Sequence, residues 1–461
     1  MARIRMPDRV FLALESARTP QHVALLATFG PPPGAEPGRY VQRLFERIAA
    51  APVAAPFSFR PRHARWGAFD GSWEELAPAD VDLTYHLRRS ALPAPGGERE
   101  LTDLVSRLHS RPLDTARPLW ECHLIEGLAG DRFALYVKVH HALTDGLGIQ
   151  QRLRHMLGTD PLDDQVRPLW SVVPAAEEAG HAAAAGGAEA PGRTGGAATT
   201  ALGLGRAART MLRGVRARAD RARAVPFLVP RSPLNGAVGR QRQVITRSYP
   251  FARFRGVAKA AGVTVNDVLL AVCGGALREG LLAAGALPAR SLTAGTPVST
   301  RKPGDAATAN SFAMTVMSLG TDVADPLERL RTVARSGELA KRELAGLPEG
   351  TTGLYGALFT WPFVAQNVLG LAGATRPPYN VVVSNIPGPA HRTYFAGCPL
   401  ETVHPLGSVC HGVGLFVAAR SAGGRLNLGL VGDRALLAPL AGLGDRLGEQ
   451  LDALERALGL T

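Results

Sequence analysis

A chain of 461 residues exceeds the size at which one hydrophobic core usually stops growing, and a 46% hydrophobic content suffices to fill two. No apolar run of eighteen or more residues escapes interruption by charge or proline, and Met1 to Gln21 lacks the apolar stretch of a signal peptide, so the sequence predicts a cytoplasmic protein without a membrane-spanning helix. A net charge of +13 keeps nucleic acid, anionic lipid and polyanionic cosubstrates open as partners, while four scattered cysteines, Cys122, Cys273, Cys398 and Cys410, argue against a disulfide framework.

In chain order, the first strong element is a strand in which Phe133, Leu135, Val137 and Val139 share one face and Ala134, Tyr136 and Lys138 the other. It runs directly into His140-His141-Ala142-Leu143-Thr144-Asp145-Gly146. After Trp170 the composition shifts to Ala, Gly and Glu with no side chains for a core, which predicts a flexible linker from 173. A basic stretch follows, Arg206, Arg209, Arg213, Arg216, Arg218, Arg221 and Arg223, nearly free of aromatics. It suits an anionic membrane surface better than base stacking, so no nucleic acid is expected; a solvated linker is the plainer reading. Beyond Pro226 to Pro233 order returns: Val265 to Leu277 reads as a buried helix, Val381-Val382-Val383 as a short buried strand, and Leu440, Leu443, Leu447, Leu451, Leu454 and Leu458 keep helical spacing to the end. The pattern predicts an α/β protein with domains at 1–172 and 231–461, a linker at 173–230, and a cleft between the domains.

Side chains alternate along a strand, so His140 and His141 diverge. His141 continues the Phe133 to Val139 face and is expected to reach a substrate as general base; His140 faces the other way in a supporting role. Gly146 and Gly148 allow the tight turn that would bring Asp145 back to orient the imidazole. A neutral imidazole with a pKa of roughly 6.5 can take the proton of an alcohol attacking a thioester. Diverging histidines with no HExxH or cysteine pair do not make a metal site, and the absence of a GxSxG elbow favours direct transfer over a covalent acyl-enzyme.

With these residues in view, the sequence resembles the bacterial wax ester synthase and diacylglycerol acyltransferase family. The HHxxxDG motif is shared with chloramphenicol acetyltransferase-like enzymes and peptide-synthetase condensation domains, and the flanking segments narrow the likeness. They are Asp82 to Arg89, Arg117-Pro118-Leu119-Trp120-Glu121, Ser232 to Gly236, Thr264 to Val268, Pro297-Val298-Ser299 and Val383 to Pro389. The resemblance implies two chloramphenicol acetyltransferase-like domains with mixed sheets, joined by a long crossover, with a tunnel between them. It implies acyl-CoA as co-substrate with no resident cofactor, a lipid hydroxyl acceptor (diacylglycerol or a long-chain alcohol), and peripheral contact with a membrane or lipid droplet. A specialised hydroxylated metabolite or a carrier-bound acyl group is the alternative substrate. By the same analogy Asn266 and Asp267 lie across the interface, Asn266 as an oxyanion donor or a helix cap, and Ser384 and Asn385 line the tunnel. The chain departs from the family pattern at Met6 to Leu12 and at Leu147-Gly148-Ile149.

Overall fold

The computed structural model describes residues 3–63, 69–144, 146–172, 220–299, 312–346 and 352–460. The first half carries helix α1 (Met6–Leu14), strand β1 (His22–Phe29), helix α2 (Pro37–Ala49), a small hairpin of β2 (Phe59–His63) and β3 (Phe69–Glu75), the single turn α3 (Leu83–His86) and strand β4 (Leu87–Ala91). Helix α4 (Glu98–His109), strands β5 (Trp120–Leu128) and β6 (Arg132–His140), and helix α5 (Gly146–Met156) complete it. The second half follows as β7 (Arg242–Pro250), α6 (Phe251–Ala261), α7 (Val265–Ala283), β8 (Thr293–Ser299), β9 (Phe312–Ser318), α8 (Pro326–Ala345), α9 (Thr352–Val368) and β10 (Val381–Ile386). It ends with β11 (Tyr394–Phe395), β12 (Cys398–Leu406), β13 (Leu415–Ala422), β14 (Arg425–Asp433), α10 (Arg434–Leu437) and α11 (Leu443–Ala457).

Two six-stranded mixed sheets result, ordered β11-β12-β1-β6-β5-β4 and β7-β14-β13-β10-β8-β9. In the first, β4 and β5 are parallel and the other pairings antiparallel; in the second, β10 runs parallel to both β8 and β13. Leucines of the terminal repeat, Leu443, Leu447, Leu451 and Leu454, pack with Val268 to Leu281 of α7 and Leu330 and Val333 of α8 over one face of the second sheet. Each such side chain contributes roughly 1.5–3 kcal/mol by leaving water. Helix α7 is buried along most of its length, which explains why its apolar residues show no clear stripe. With α6 it forms a pair bent by 102° that passes a hydropathy test for a broken membrane span, yet both helices line the core; no single described helix is long and apolar enough to cross a membrane.

Two findings redraw the sequence division. The segment 394–406 belongs to the first sheet, where β12 pairs with β1 along Ala24↔Leu406 to Phe29↔Leu400, so the crossover between the halves is made by late residues. The Ala/Gly stretch and most of the arginine cluster lie outside the described residues, but residues 220–230 pack on the second unit: Ala222 is buried, Arg221 lies 3.5 Å from Asp322, Arg223 3.4 Å from Glu343, and Arg335 bonds Asp220. Arg221 and Arg223 therefore answer acidic side chains of their own chain, and the second unit begins before residue 231.

Between the units a third apolar cluster forms, with Ala24, Leu26, Ala134 and Tyr136 from the first sheet, Leu101, Val105 and Leu108 from α4, and Val244 and Val431 from the second sheet. The halves are thus joined by packed side chains as well as by the exchanged strand.

Candidate active site

Strand β6 delivers the histidine pair at its C-terminal end. Its Val137 and Val139 belong to the first core cluster, and its Lys138 and Tyr136 face the other way into buried polar company. The backbone of the motif is held from both neighbours: the His140 N–H donates to the Leu119 carbonyl (2.9 Å), the His141 N–H to the Gln21 carbonyl (2.8 Å), and the Leu143 N–H to the His140 carbonyl (3.0 Å). Such a corner cannot slide without breaking three bonds.

His140 is sealed at 1% exposure. Its Nδ1 accepts the Ala142 N–H at 3.1 Å, which fixes the proton on Nε2, and Nε2 donates to the Glu15 carboxylate at 3.3 Å. Glu15 also accepts the Gln21 N–H, so one carboxylate ties the end of α1 to the entrance of β1 and to the motif. With both ring nitrogens committed, His140 has no proton-transfer capacity to spare.

His141 is half-buried, and its ring stacks on Phe11 of α1 with centroids 3.9 Å apart and planes 12° from parallel. Phe11 packs in turn on the first core cluster, so an apolar platform sets the imidazole's orientation. Asp145 lies outside the described residues. Gly146 is exposed at the start of α5.

The other predicted residues fall on the second unit. Thr264, not Asn266, caps α7: its hydroxyl accepts the Asp267 N–H (3.2 Å), while Asp267 Oδ2 accepts the Thr264 N–H (2.9 Å) and hydroxyl (2.6 Å). This reciprocal box gives Asp267, 6% exposed, a structural duty, and leaves Asn266 half-buried at the second helical position. Ser384 and Asn385 sit half-buried on β10 beside Ala418 and Ala419. Because Val381 and Val383 face the second core, alternation turns Ser384 toward the first unit and Asn385 toward the helices. Beyond them the Gly388 N–H donates to Ser421 Oγ (2.9 Å), and a Cβ at 388 would lie 2.0 Å from the Ser421 carbonyl, so only glycine fits.

The remaining motif segments are scaffolding. Trp120 donates its indole N–H to the Phe57 carbonyl (2.8 Å) and stacks between His86 and Trp170. Asn235 donates to the Asn380 and Gly412 carbonyls (2.9 and 2.7 Å) and so holds together three chain segments of the second unit. Cys410 meets Gln21 Nε2 at 3.5 Å across the units, and His411 Nδ1 accepts the Val238 N–H, so this neighbouring pair is occupied separately. A cavity of about 360 Å³, lined by Leu26, Thr28, Arg132, Arg247 and His404 among others, opens on the face of β1 opposite the first core cluster and holds none of the predicted site residues. Sequence reasoning missed Phe11, Glu15 and Gln21; their only signal is proximity in sequence to the start of β1, which reveals nothing until β1 is paired with β6.

The fold, two mixed-sheet units with the histidine pair at the end of a strand of the first, is also found in the starter condensation domain of rhizomide synthetase (TM-score 0.52, 15% identity, 99% of this chain and 94% of that chain). Residues 5–269 match the wax ester synthase/diacylglycerol acyltransferase catalytic domain and 308–455 the C-terminal domain of the same family. A probable diacylglycerol O-acyltransferase of Mycobacterium tuberculosis is 37% identical over 463 residues (99% of this chain, all of that protein), and a putative one from the same organism 38% over 454 (98% and 99%). The solved wax ester synthase/diacylglycerol acyltransferase of Marinobacter aquaeolei VT8 superposes with a TM-score of 0.79 at 32% identity, covering all of both chains. The chain belongs to the wax ester synthase/diacylglycerol acyltransferase family and is an acyltransferase.

Proposed function

We propose that the enzyme moves a fatty acyl group from acyl-CoA to the hydroxyl of diacylglycerol or of a long-chain alcohol, with His141 as general base. The observation that carries this reading is the division of labour in the pair: His140 has both nitrogens committed, while His141 stands at the strand end with its ring steadied on Phe11. As the acceptor oxygen bonds to the thioester carbonyl carbon, its proton passes to the imidazole; collapse breaks the C–S bond, and the proton leaves with the thiolate as free coenzyme A. Asp145, four residues on, is suited to orient the imidazolium. The test is thiol release from palmitoyl-CoA with diacylglycerol or hexadecanol against a panel of other alcohols. Release with the lipid acceptors that disappears in His141→Ala supports the reading; release confined to another alcohol would replace the acceptor.

Peripheral contact with a membrane or lipid droplet forms part of the same proposal. Trp361, Val368, Leu369 and Leu371 are 49%, 61%, 69% and 48% exposed, and the sequence carries no charged residue from Thr351 to Thr375 before Arg376. Helix α9, which holds Trp361 and Val368, lies against α1, the helix of Phe11. An uncharged, Trp-bearing segment whose helix touches α1 suits an acceptor that resides in lipid. Replacing Leu369 and Leu371 by Glu is expected to lower co-sedimentation with phospholipid vesicles; undiminished binding would move the contact elsewhere.

A further inference from the structure

The cavity of about 360 Å³ takes no part in the acyl transfer described above, and both units line it. On β1 its wall is Leu26 and Thr28, and Thr28 lies six residues along the strand from His22, the register partner of His140. At roughly 3.3 Å per residue, that end of β1 is about 20 Å from the histidine motif. Thr402 and His404 of β12 continue the wall, while Arg247 of β7 and Arg425 of β14 close it from the second unit. Helix α4 runs along β7, its Ser106 and Ser110 hydroxyls accepting the Val244 and Arg242 N–H (2.9 and 2.8 Å). The N-terminus of α4 therefore meets the cavity, which Gly96, Gly97 and Glu98 also line. Gly97 at the N-cap has no side chain with which to satisfy the first amides of the helix, so the positive end of the dipole borders the space.

Two side chains of the wall have hydrogen-bonding capacity to spare. His404 is 5% exposed, and its Nδ1 donates to the Leu428 carbonyl at 2.9 Å; among the described residues nothing bonds Nε2, which in that tautomer is an acceptor. Burial keeps the ring neutral by taking its pKa to about 4. Arg425 bonds the Ser248 hydroxyl and carbonyl through Nε and Nη2 (2.8 and 2.9 Å), which leaves Nη1, and it has no ion pair among the described residues. The other arginines of the wall are answered, Arg132 by Glu401 at 3.4 Å and Arg247 by Glu98 at 3.2 Å. Apart from His404 the lining holds no aromatic side chain on which a nucleotide base could stack. A helix N-terminus beside a spare guanidinium suits a phosphoryl group, and a buried acceptor without a partner calls for a hydroxyl donor. We infer that this cavity binds a small phosphate monoester that carries a free hydroxyl, the phosphate at Arg425 and the α4 N-terminus and the hydroxyl donating to His404 Nε2. Because its wall belongs to both units, the ligand ties them together at the end of β1 remote from the histidines.

The experiment titrates the full chain with glycerol 3-phosphate, inorganic phosphate and glycerol by calorimetry, beside melting temperatures, in wild type, Arg425→Gln and His404→Asn. Glycerol 3-phosphate is expected to bind about tenfold tighter than phosphate and to raise the melting temperature, and glycerol to do neither. Arg425→Gln, at an exposed position, is expected to weaken both anions about tenfold. His404→Asn keeps a donor near the Leu428 carbonyl but loses the acceptor at Nε2, so it is expected to bring glycerol 3-phosphate down to the affinity of phosphate. A lysophosphatidate with a short acyl chain presents the same headgroup: tighter binding assigns a lipid headgroup, and equal or weaker binding a free phosphate monoester. Binding that persists in saturating coenzyme A supports a site apart from that of the acyl donor. Absence of binding to the wild type, displacement by coenzyme A, or equal affinity for phosphate and glycerol 3-phosphate each overturns the inference. So does undiminished affinity in Arg425→Gln, which decides the matter should His404→Asn fail to fold.

Discussion

The two histidines of the motif differ in what their rings touch, and that difference predicts unlike mutants. His141→Ala removes the proposed base, so turnover is expected to fall by about a thousandfold or more, a cost of roughly four to five kcal/mol in the transition state, with a melting temperature lowered by no more than the loss of one stacked contact. His140→Ala strips the Glu15 carboxylate and the Ala142 amide of a shared partner, so it is expected to lower the melting temperature and reduce turnover only in part. Thiol-release kinetics and a thermal melt on the same preparations separate the two; equal catalytic loss with equal melting would undo the assignment. Phe11→Ala belongs with these. Loss of one stacked aromatic contact, worth about 0.5–1.5 kcal/mol, is expected to lower kcat several-fold by loosening the imidazole, with a smaller change in KM.

Among the elements, the β5–β6 pair carries a conflict that the register resolves. Glu121 lies opposite Lys138, both buried, with Arg88 and His123 3.5 and 3.7 Å from the carboxylate. Burial opposes ionisation of Glu121, but the facing His123 and the charges of Lys138 and Arg88 hold its carboxyl down at about 2. Lys138 also donates to the Leu108 and Arg111 carbonyls at the end of α4, so it joins helix to sheet directly beneath the histidine motif. Lys138→Ala takes from the buried Glu121 carboxylate its closest cation, leaving only Arg88 and His123 beside it, and is expected to cost about 2–4 kcal/mol, read as a lower urea midpoint; Lys138→Met combined with Glu121→Gln is expected to recover most of it. If the double variant were no more stable than the single one, the ion pair would not be the source of the cost.

At the scale of the molecule, three buried histidines set the response to acid. Burial lowers His22 well below its ordinary value, takes His109 to about 3 despite its bond to the Gly407 carbonyl, and takes His404 to about 4 despite its bond to the Leu428 carbonyl. The unfolded chain binds these protons near pH 6.5 and the folded chain does not, so stability is full above pH 6.5 and falls as pH drops toward 4, on the order of 3 kcal/mol for His404 alone. Melting temperatures across pH 7.5 to 4.5 are expected to decline, and His404→Asn, which keeps a donor near the Leu428 carbonyl, to flatten the decline; a flat wild-type profile would contradict neutral burial. Much of this protein is legible in its residues. The strand into the histidine pair, the divergence of His140 and His141, the terminal leucine helix and the α/β class all rest on local periodicity, and periodicity survives in one dimension. The capping role of Asp267 was within reach too, since Thr264 and Asp267 have the spacing of a capping box. What the sequence could not disclose are pairings made at distance: β12 crossing to β1, Glu15 reaching His140, and Phe11 beneath His141. Each joins residues whose separation along the chain carries no signal, and only the packing of the strands and helices against each other decides which side chains are sealed together.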